Sequence, residues 1–179
     1  MISPVVHNYA LAMVQLASSK GSLNQVRECA EVLTEHLAVA DVKLFLESPR
    51  VRGTIKREFL QKLLPEESPQ EFLNFLNLTV DRGYGGLLPD ILAKVIDYSI
   101  EAVGYEIITV ITSEPLEEAE QEQIRSRLEE MWETRLFPRY RVNPGVMGGL
   151  IVMRGDKLYD GSLAGQLQNL RQKMLMATE

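Results

Sequence analysis

Asn143-Pro144-Gly145-Val146-Met147-Gly148-Gly149-Leu150-Ile151-Val152, then Gly155-Asp156, then Asp160-Gly161-Ser162: this order decides how the C-terminal part of the chain folds. Turn-forming residues precede two glycines, and the glycines lead into an apolar run that reads as a strand over Gly149–Arg154. Gly155-Asp156 fits a two-residue hairpin loop with glycine at its first central position. A short second strand follows. Ser162 then stands where a helix needs a cap, with Leu163, Leu167, Leu170 and Met174 at helical spacing beyond it. None of these residues forms a catalytic set.

Working back toward the N-terminus, Tyr105–Thr112 holds Ile107, Ile108, Val110 and Ile111 and reads as a strand buried on both faces. Pro115 ends it. Glu117–Leu136 reads as a helix whose first turns carry Glu117, Glu118, Glu120 and Glu122, favourably placed against the positive end of its dipole. A further strand is expected over Phe137–Val142.

Before Gly104 the pattern is helical throughout. Ser3-Pro4 is a cap followed by proline at the first helical position, and Val6, Tyr9, Ala10, Met13, Leu16 and Ala17 form the first stripe. Gly21 ends that helix. Ser22 with Gln25 suggests a capping box for the second, whose stripe is Val26, Cys29, Ala30, Leu33 and Leu37. A short helix stops at Ser48-Pro49, and a fourth runs through Ile55, Phe59, Leu60, Leu63 and Leu64. Ser68-Pro69-Gln70-Glu71 signals the fifth, with Phe72, Phe75, Leu76, Thr79 and Val80 on its face. Gly83-Tyr84-Gly85-Gly86 breaks it, and Pro89 opens a sixth. The expected fold is therefore mainly α, a six-helix bundle over residues 1–104 followed by a smaller α+β domain over 105–179 with a short sheet and a terminal helix.

Composition narrows the function. Of 179 residues, 45% are hydrophobic and 25% charged, enough for a packed interior and too apolar for extended disorder. The net charge of −6 is shared evenly, with ten basic against thirteen acidic residues before Gly104 and nine against twelve after it. Neither half attracts nucleic acid or anionic lipid. The single cysteine, Cys29, rules out an internal disulfide and lies in a helical stripe as a small hydrophobe. No apolar run approaches the roughly 20 residues needed to span a bilayer, so a soluble chain is expected, with membrane association only through a partner.

A search for chemistry finds no site. His7 and His36 lie on different helices without metal-ligand neighbours. No phosphate-binding loop of the Gly-x-x-x-x-Gly-Lys-Ser/Thr type occurs, and Gly83-Tyr84-Gly85-Gly86 follows a helix rather than a strand. Asp156 and Asp160 serve turn and cap roles, and Arg154-Gly155-Asp156 is a hairpin turn. No catalytic residue, cofactor or metal ligand is expected.

The chain resembles the delta/oligomycin-sensitivity-conferring protein family of F-type ATP synthases. The residues that carry the resemblance run the length of the sequence: Tyr9-Ala10; Ser48-Pro49-Arg50-Val51 with Lys56; Asn74-Phe75-Leu76; Thr112-Ser113-Glu114-Pro115-Leu116; and the signature Gly148, Gly149, Gly155, Asp156, Asp160, Gly161 and Ser162. Two positions depart from the family pattern, Asn143 replacing its usual aspartate and Gly145 its serine. The arginine commonly found after the fifth helix is displaced, with Arg82 or Tyr84 in its place.

What the resemblance implies is a non-catalytic peripheral-stalk connector that holds the catalytic head against rotor torque. Its first and fifth helices would form a groove for the N-terminal helix of the alpha subunit, through Tyr9, Ala10, Met13, Asn74, Phe75 and Leu78. Apolar residues on more than one face of these helices suit either that groove or burial on two sides within the bundle. The C-terminal domain would meet the stalk's b subunits through Met174, Leu175 and Met176. The expected location is the cytoplasmic face of the plasma membrane, or a thylakoid membrane in a photosynthetic cell. The alternative is a free-standing helical adaptor for some other amphipathic helix.

Overall fold

The computed structural model describes residues 3–176, the side chains of residues 40, 169 and 171–176 excepted. The chain divides into two units, Met1–Val103 and Gly104–Glu179.

The first unit contains α1 (Pro4–Lys20), α2 (Leu23–Leu37), α3 (Ala40–Glu47), α4 (Gly53–Lys62), α5 (Gln70–Asp81) and α6 (Leu88–Ala102), with a 3-10 turn at Gly85–Leu87 leading into α6. Helix α6 packs against both α1 and α2, while α5 packs against α4 and α1. Small residues make the close approach possible: Ala10 and Ala17 of α1 and Ala30 of α2 are wholly buried beside Leu33, Ile91, Leu92 and Val95. Phe72, Leu76 and Leu60 fill the space on the α4–α5 side. Each such large side chain contributes about 1.5–3 kcal/mol by leaving water, and this burial holds the helices together more than any cap does.

The caps themselves differ in detail from the sequence reading. Gly21, at φ +72°, closes α1 as expected: its N–H reaches Ser18 O and that of Ser22 reaches Ala17 O, a Schellman arrangement. Ser22 forms no capping box, because its hydroxyl donates to the Glu71 carboxylate on α5. At α5 the N-cap residue is Pro69 rather than Ser68, whose hydroxyl donates back to Pro65 O. Both serines found longer-range or looser partners than the first turn of their own helix offered.

Lys56 is buried, and its Nζ donates to Leu46 O at 2.6 Å. That carbonyl belongs to the last turn of α3, where no intrahelical donor is available. A Cβ on Gly85 would stand 2.9 Å from the same oxygen, so glycine there lets the turn before α6 close onto α3.

The second unit is a four-stranded sheet with two helices: β1 (Glu106–Thr112), α7 (Glu118–Trp132), β2 (Leu136–Val142), β3 (Leu150–Arg154), β4 (Lys157–Asp160) and α8 (Leu163–Met176). The strand order is β2-β1-β3-β4. Strands β1 and β2 are parallel, with Val110 opposite Tyr140; the other two pairings are antiparallel, with Val110 opposite Val152 and Val152 opposite Tyr159. Helix α7 is the crossover that a parallel pair requires. Its Ile124, Leu128 and Trp132 pack onto Ile108, Val110, Leu136 and Val152.

Two expectations are corrected here. Strand β1 is not buried on both faces: Ile108, Val110 and Thr112 are buried, while Ile107, Thr109 and Ile111 alternate with them as half-buried residues. Helix α7 ends at Trp132, four residues before Leu136, with Glu133 in the left-handed region at φ +51°. Leu136 is 1% exposed at the start of β2, and its N–H is taken by the Glu129 carboxylate at 2.8 Å. Sheet burial of Leu136 overrides the helical pattern that includes it.

The signature glycines form a brace. Gly149 has φ +73°, and a Cβ there would collide with the carbonyl oxygen of Gly161. Gly161 N–H donates to Leu150 O and Leu163 N–H donates to Gly148 O, both at 3.0 Å. The Asp160 carboxylate accepts from Ser162 N–H and Oγ, and Ser162 Oγ accepts from Gly165 N–H at 3.0 Å, capping α8 as its sequence suggests. Gly155, at φ +55°, turns the β3–β4 hairpin between the paired Arg154 and Lys157. Asn143 Oδ1 accepts from Gly145 N–H, so the amide makes the turn without a charge.

A candidate partner groove between α1 and α5

Tyr9, Met13, Leu16 and Lys20 recur along α1 at intervals of four, three and four, which puts them on one face. Glu71, Asn74, Phe75 and Leu78, at intervals of three, one and three, likewise share one face of α5. Ala12, Met13, Leu16, Lys20, Glu71, Asn74, Phe75 and Leu78 together line a surface groove of about 300 Å³. Its floor is Met13 and Phe75, 2% and 9% exposed. Its walls are Leu16 and Leu78, 42% and 49% exposed, with Asn74 also open to solvent.

One end of the groove is polar. Lys20 Nζ lies 3.5 Å from Glu71, and Ser22 donates to the same carboxylate. The Ser22 hydrogen bond, followed by the backbone and Lys20, holds the Glu71 carboxyl below its ordinary value. Tyr9 lies outside the lining: it is half-buried, its ring edge-on to Tyr84 at 5.5 Å and tilted toward Phe75 at 6.4 Å. Tyr84 thus occupies the position beside Tyr9, while Arg82 is an exposed residue at the end of α5.

The six residues chosen from sequence therefore divide. Met13, Asn74, Phe75 and Leu78 share the groove, and Tyr9 buttresses Phe75. Ala10 does not reach the surface; it is wholly buried in the helix-packing core. Sequence reasoning missed Ala12, Lys20 and Glu71, and it counted Leu16 as core. The i, i+7, i+11 relation of Leu16 and Lys20 to Tyr9 is the signal that could have found them.

On the C-terminal unit, α8 exposes Leu163, Leu167 and Leu170, each more than half. The side chains of Met174, Leu175 and Met176 lie outside the described residues. His7 Nδ1 and the Tyr98 hydroxyl share a hydrogen bond of 2.7 Å, and Cys29 is buried near Ser68. Among the described residues no group of three or more His, Cys, Asp or Glu could hold a metal ion, and no helix is long and apolar enough to cross a membrane.

Comparison with known proteins gives one answer. The profile of the family described as "ATP synthase delta (OSCP) subunit" matches residues 5–174. A protein named ATP synthase subunit delta from Carboxydothermus hydrogenoformans is 31% identical over 171 residues, covering 95% of this chain and 96% of its own. Its namesake from Brevibacillus brevis is 29% identical, with 97% and 99% covered. A chloroplastic subunit delta from Ochrosphaera neapolitana is 30% identical, with 94% and 96% covered. Among solved structures, a chain of the Toxoplasma gondii mitochondrial ATP synthase hexamer shares the fold at a TM-score of 0.71 and 22% identity, covering 97% of this chain and 98% of that one. This chain belongs to the ATP synthase delta (OSCP) subunit family.

Proposed function

We propose that this chain is the non-catalytic connector of an F-type ATP synthase, joining the catalytic head to the peripheral stalk. The observation that carries the reading is the α1–α5 groove, an apolar floor of Met13 and Phe75 between the exposed walls Leu16 and Leu78. An amphipathic helix presents apolar side chains at three- and four-residue spacing to such a surface. The N-terminal helix of the alpha subunit is the proposed occupant, received by the six helices acting as one bundle. The C-terminal unit would meet the b subunits through α8 and neighbouring apolar surface. Support for that comes from the exposed stripe Leu163, Leu167 and Leu170, which Met174 continues in sequence. No cofactor or metal takes part.

The role is static. The head can be driven by a rotating shaft only if it is kept from turning with it, so the connector must bind both partners at once. It would sit at the cytoplasmic face of a plasma membrane, or on a thylakoid membrane in a photosynthetic cell, held there by the complex. Calorimetric titration of the full chain with a synthetic alpha-subunit N-terminal peptide tests the groove. Saturable one-to-one binding that Leu78→Asp abolishes supports it; absence of binding by the folded chain favours a free-standing helical adaptor instead.

A further inference from the structure

Phe75, on the floor of the α1–α5 groove, is held between two rings of different character. Its own ring stacks at 22° on that of Phe72, which is wholly buried 6.2 Å away, and Tyr9 leans over it at 6.4 Å. The core fixes Phe72. Tyr9 is only half-buried, and the ring that meets it from the other side is Tyr84, edge-on at 5.5 Å with the planes at 83°. Edge-to-face pairs have a preferred geometry, so where Tyr84 stands decides where Tyr9 points.

Tyr84 stands on a turn that is pinned on every side. Gly83, at φ +78°, takes the chain off the end of α5. The Tyr84 N–H donates to Thr79 O at 3.0 Å, and its carbonyl accepts from Leu87 N–H at 2.9 Å. Thr79 is itself wholly buried, and its hydroxyl donates to Phe75 O at 2.8 Å. The turn is thus bonded back to the stretch of α5 that carries the groove floor. Its next residue rests on α3. A Cβ on Gly85 would lie 2.9 Å from Leu46 O, the carbonyl that Lys56 also engages, and a Cβ on Gly86 would collide with the Glu47 side chain. Neither Tyr84 nor Gly85 is among the residues that line the groove.

We propose that Tyr84 is the positioning residue of the groove: seated on the end of α3 through Gly85, it fixes the Tyr9 ring, and Tyr9 fixes Phe75 against an incoming apolar side chain. This rests on the reading that the groove receives an amphipathic helix, and it names what sets the fit. The gain is preorganisation, since a floor already in its bound arrangement has less freedom to lose on association. Affinity for the helix therefore depends on a carbonyl of α3 that the helix does not touch.

The test is calorimetric titration of the full chain with a synthetic alpha-subunit N-terminal peptide, each variant first shown to be folded by far-ultraviolet circular dichroism. Y84A should weaken binding about threefold to tenfold, and Y84F should bind within about twofold of the unaltered chain, because the ring and not the hydroxyl makes the contact. G85A, which forces the turn off Leu46 O, should weaken binding as Y84A does, and it keeps the test valid should Y84A fail to fold. In a Y9A chain, Y84A should cost almost nothing further, since its effect passes through Tyr9. L33V, in the core of α2, should lower the denaturation midpoint and leave the affinity unchanged. Additive losses in Y9A/Y84A, or weak binding by Y84F, would mean that Tyr84 touches the helix directly and would overturn the positioning role. An L33V chain weakened as much as Y84A would overturn it in favour of general loosening of the bundle. If Y84A and G85A bind like the unaltered chain while Leu78→Asp does not bind, the positioning role falls and the groove stands. If the unaltered chain does not bind the peptide, the groove reading fails and this role with it.

Discussion

Glu106 and Arg154 are joined across β1 and β3 by two hydrogen bonds, from Nε at 2.9 Å and from an Nη at 2.8 Å, with the guanidinium 4.7 Å from the centroid of the Trp132 ring. One arginine therefore ties the first strand, the third strand and the end of α7 together. Trp132 is the only tryptophan of the chain, so its fluorescence reports on this junction.

Arg154→Ala should lower the denaturation midpoint seen by Trp132 fluorescence, and Arg154→Lys should recover only part of it, because an ammonium cannot make the two-pronged contact or lie flat on the indole. An unchanged midpoint in the alanine variant would show the junction to be ornamental.

Acid should loosen the C-terminal unit first at this junction and at the α8 cap. The Arg154 hydrogen bond holds the Glu106 carboxyl below its ordinary value, and the Ser162 hydroxyl does the same for Asp160. A carboxyl whose value is depressed in the folded chain stabilises it at pH above the ordinary carboxylate range, and that contribution is lost as pH falls through the depressed value. Stability by Trp132 fluorescence should thus fall between about pH 5 and pH 3, and Glu106→Gln should flatten that slope while lowering the plateau above it.

Two glycines at positive φ should respond differently to alanine. At Gly155 nothing lies within reach of a Cβ, so the cost is that of the left-handed conformation, about 1 kcal/mol. At Gly149 the same strain is joined by the Gly161 carbonyl, and the loss should exceed about 2 kcal/mol. Urea titration of the two variants checks the order; equal losses would mean the brace between Gly149 and Gly161 relaxes freely.

Lys56→Met should destabilise the first unit by about 1–3 kcal/mol, since it keeps the stem but leaves Leu46 O without its donor. Far-ultraviolet circular dichroism, dominated by the helices, is the readout. A neutral result would mean that water reaches the carbonyl in the variant.

Charge reversal on the α1–α5 groove should separate binding from folding. Leu16→Asp and Leu78→Asp change exposed walls, so both should stay folded and lose at least about tenfold in affinity for the alpha-subunit peptide. Phe75→Asp, by contrast, should unfold the first unit, because the ring is part of its core. A folded Phe75→Asp chain would place that ring outside the core.

Most elements were legible in the sequence because glycine, proline and the apolar period mark them without ambiguity. The signature even exposed the α8 cap, since Asp160, Ser162 and Gly165 act within a few residues of one another. Distance in sequence is what hid the rest. Ser22 and Glu71 are partners from different helices, so the local capping rule misassigned the serine. Leu136 continues the α7 pattern yet belongs to β2, and only the sheet reveals its burial. On α1 the apolar residues surround the helix, so period alone could not tell Ala10, in the core, from Leu16, on the groove wall. The parallel β1–β2 pairing left no local mark at all.

That pairing has a consequence for how the protein is made. Strand β1, Glu106–Thr112, precedes both of its neighbours in the sheet, and neither neighbouring strand is complete before residue 142. While the ribosome adds those thirty residues, the β-branched segment has no native edge to pair with and is open to sticking elsewhere. The helical unit faces no such wait for the sheet. Synthesis therefore passes through an interval in which the first unit has its full sequence while β1 of the second is still unpaired, an interval where a chaperone would have most to protect.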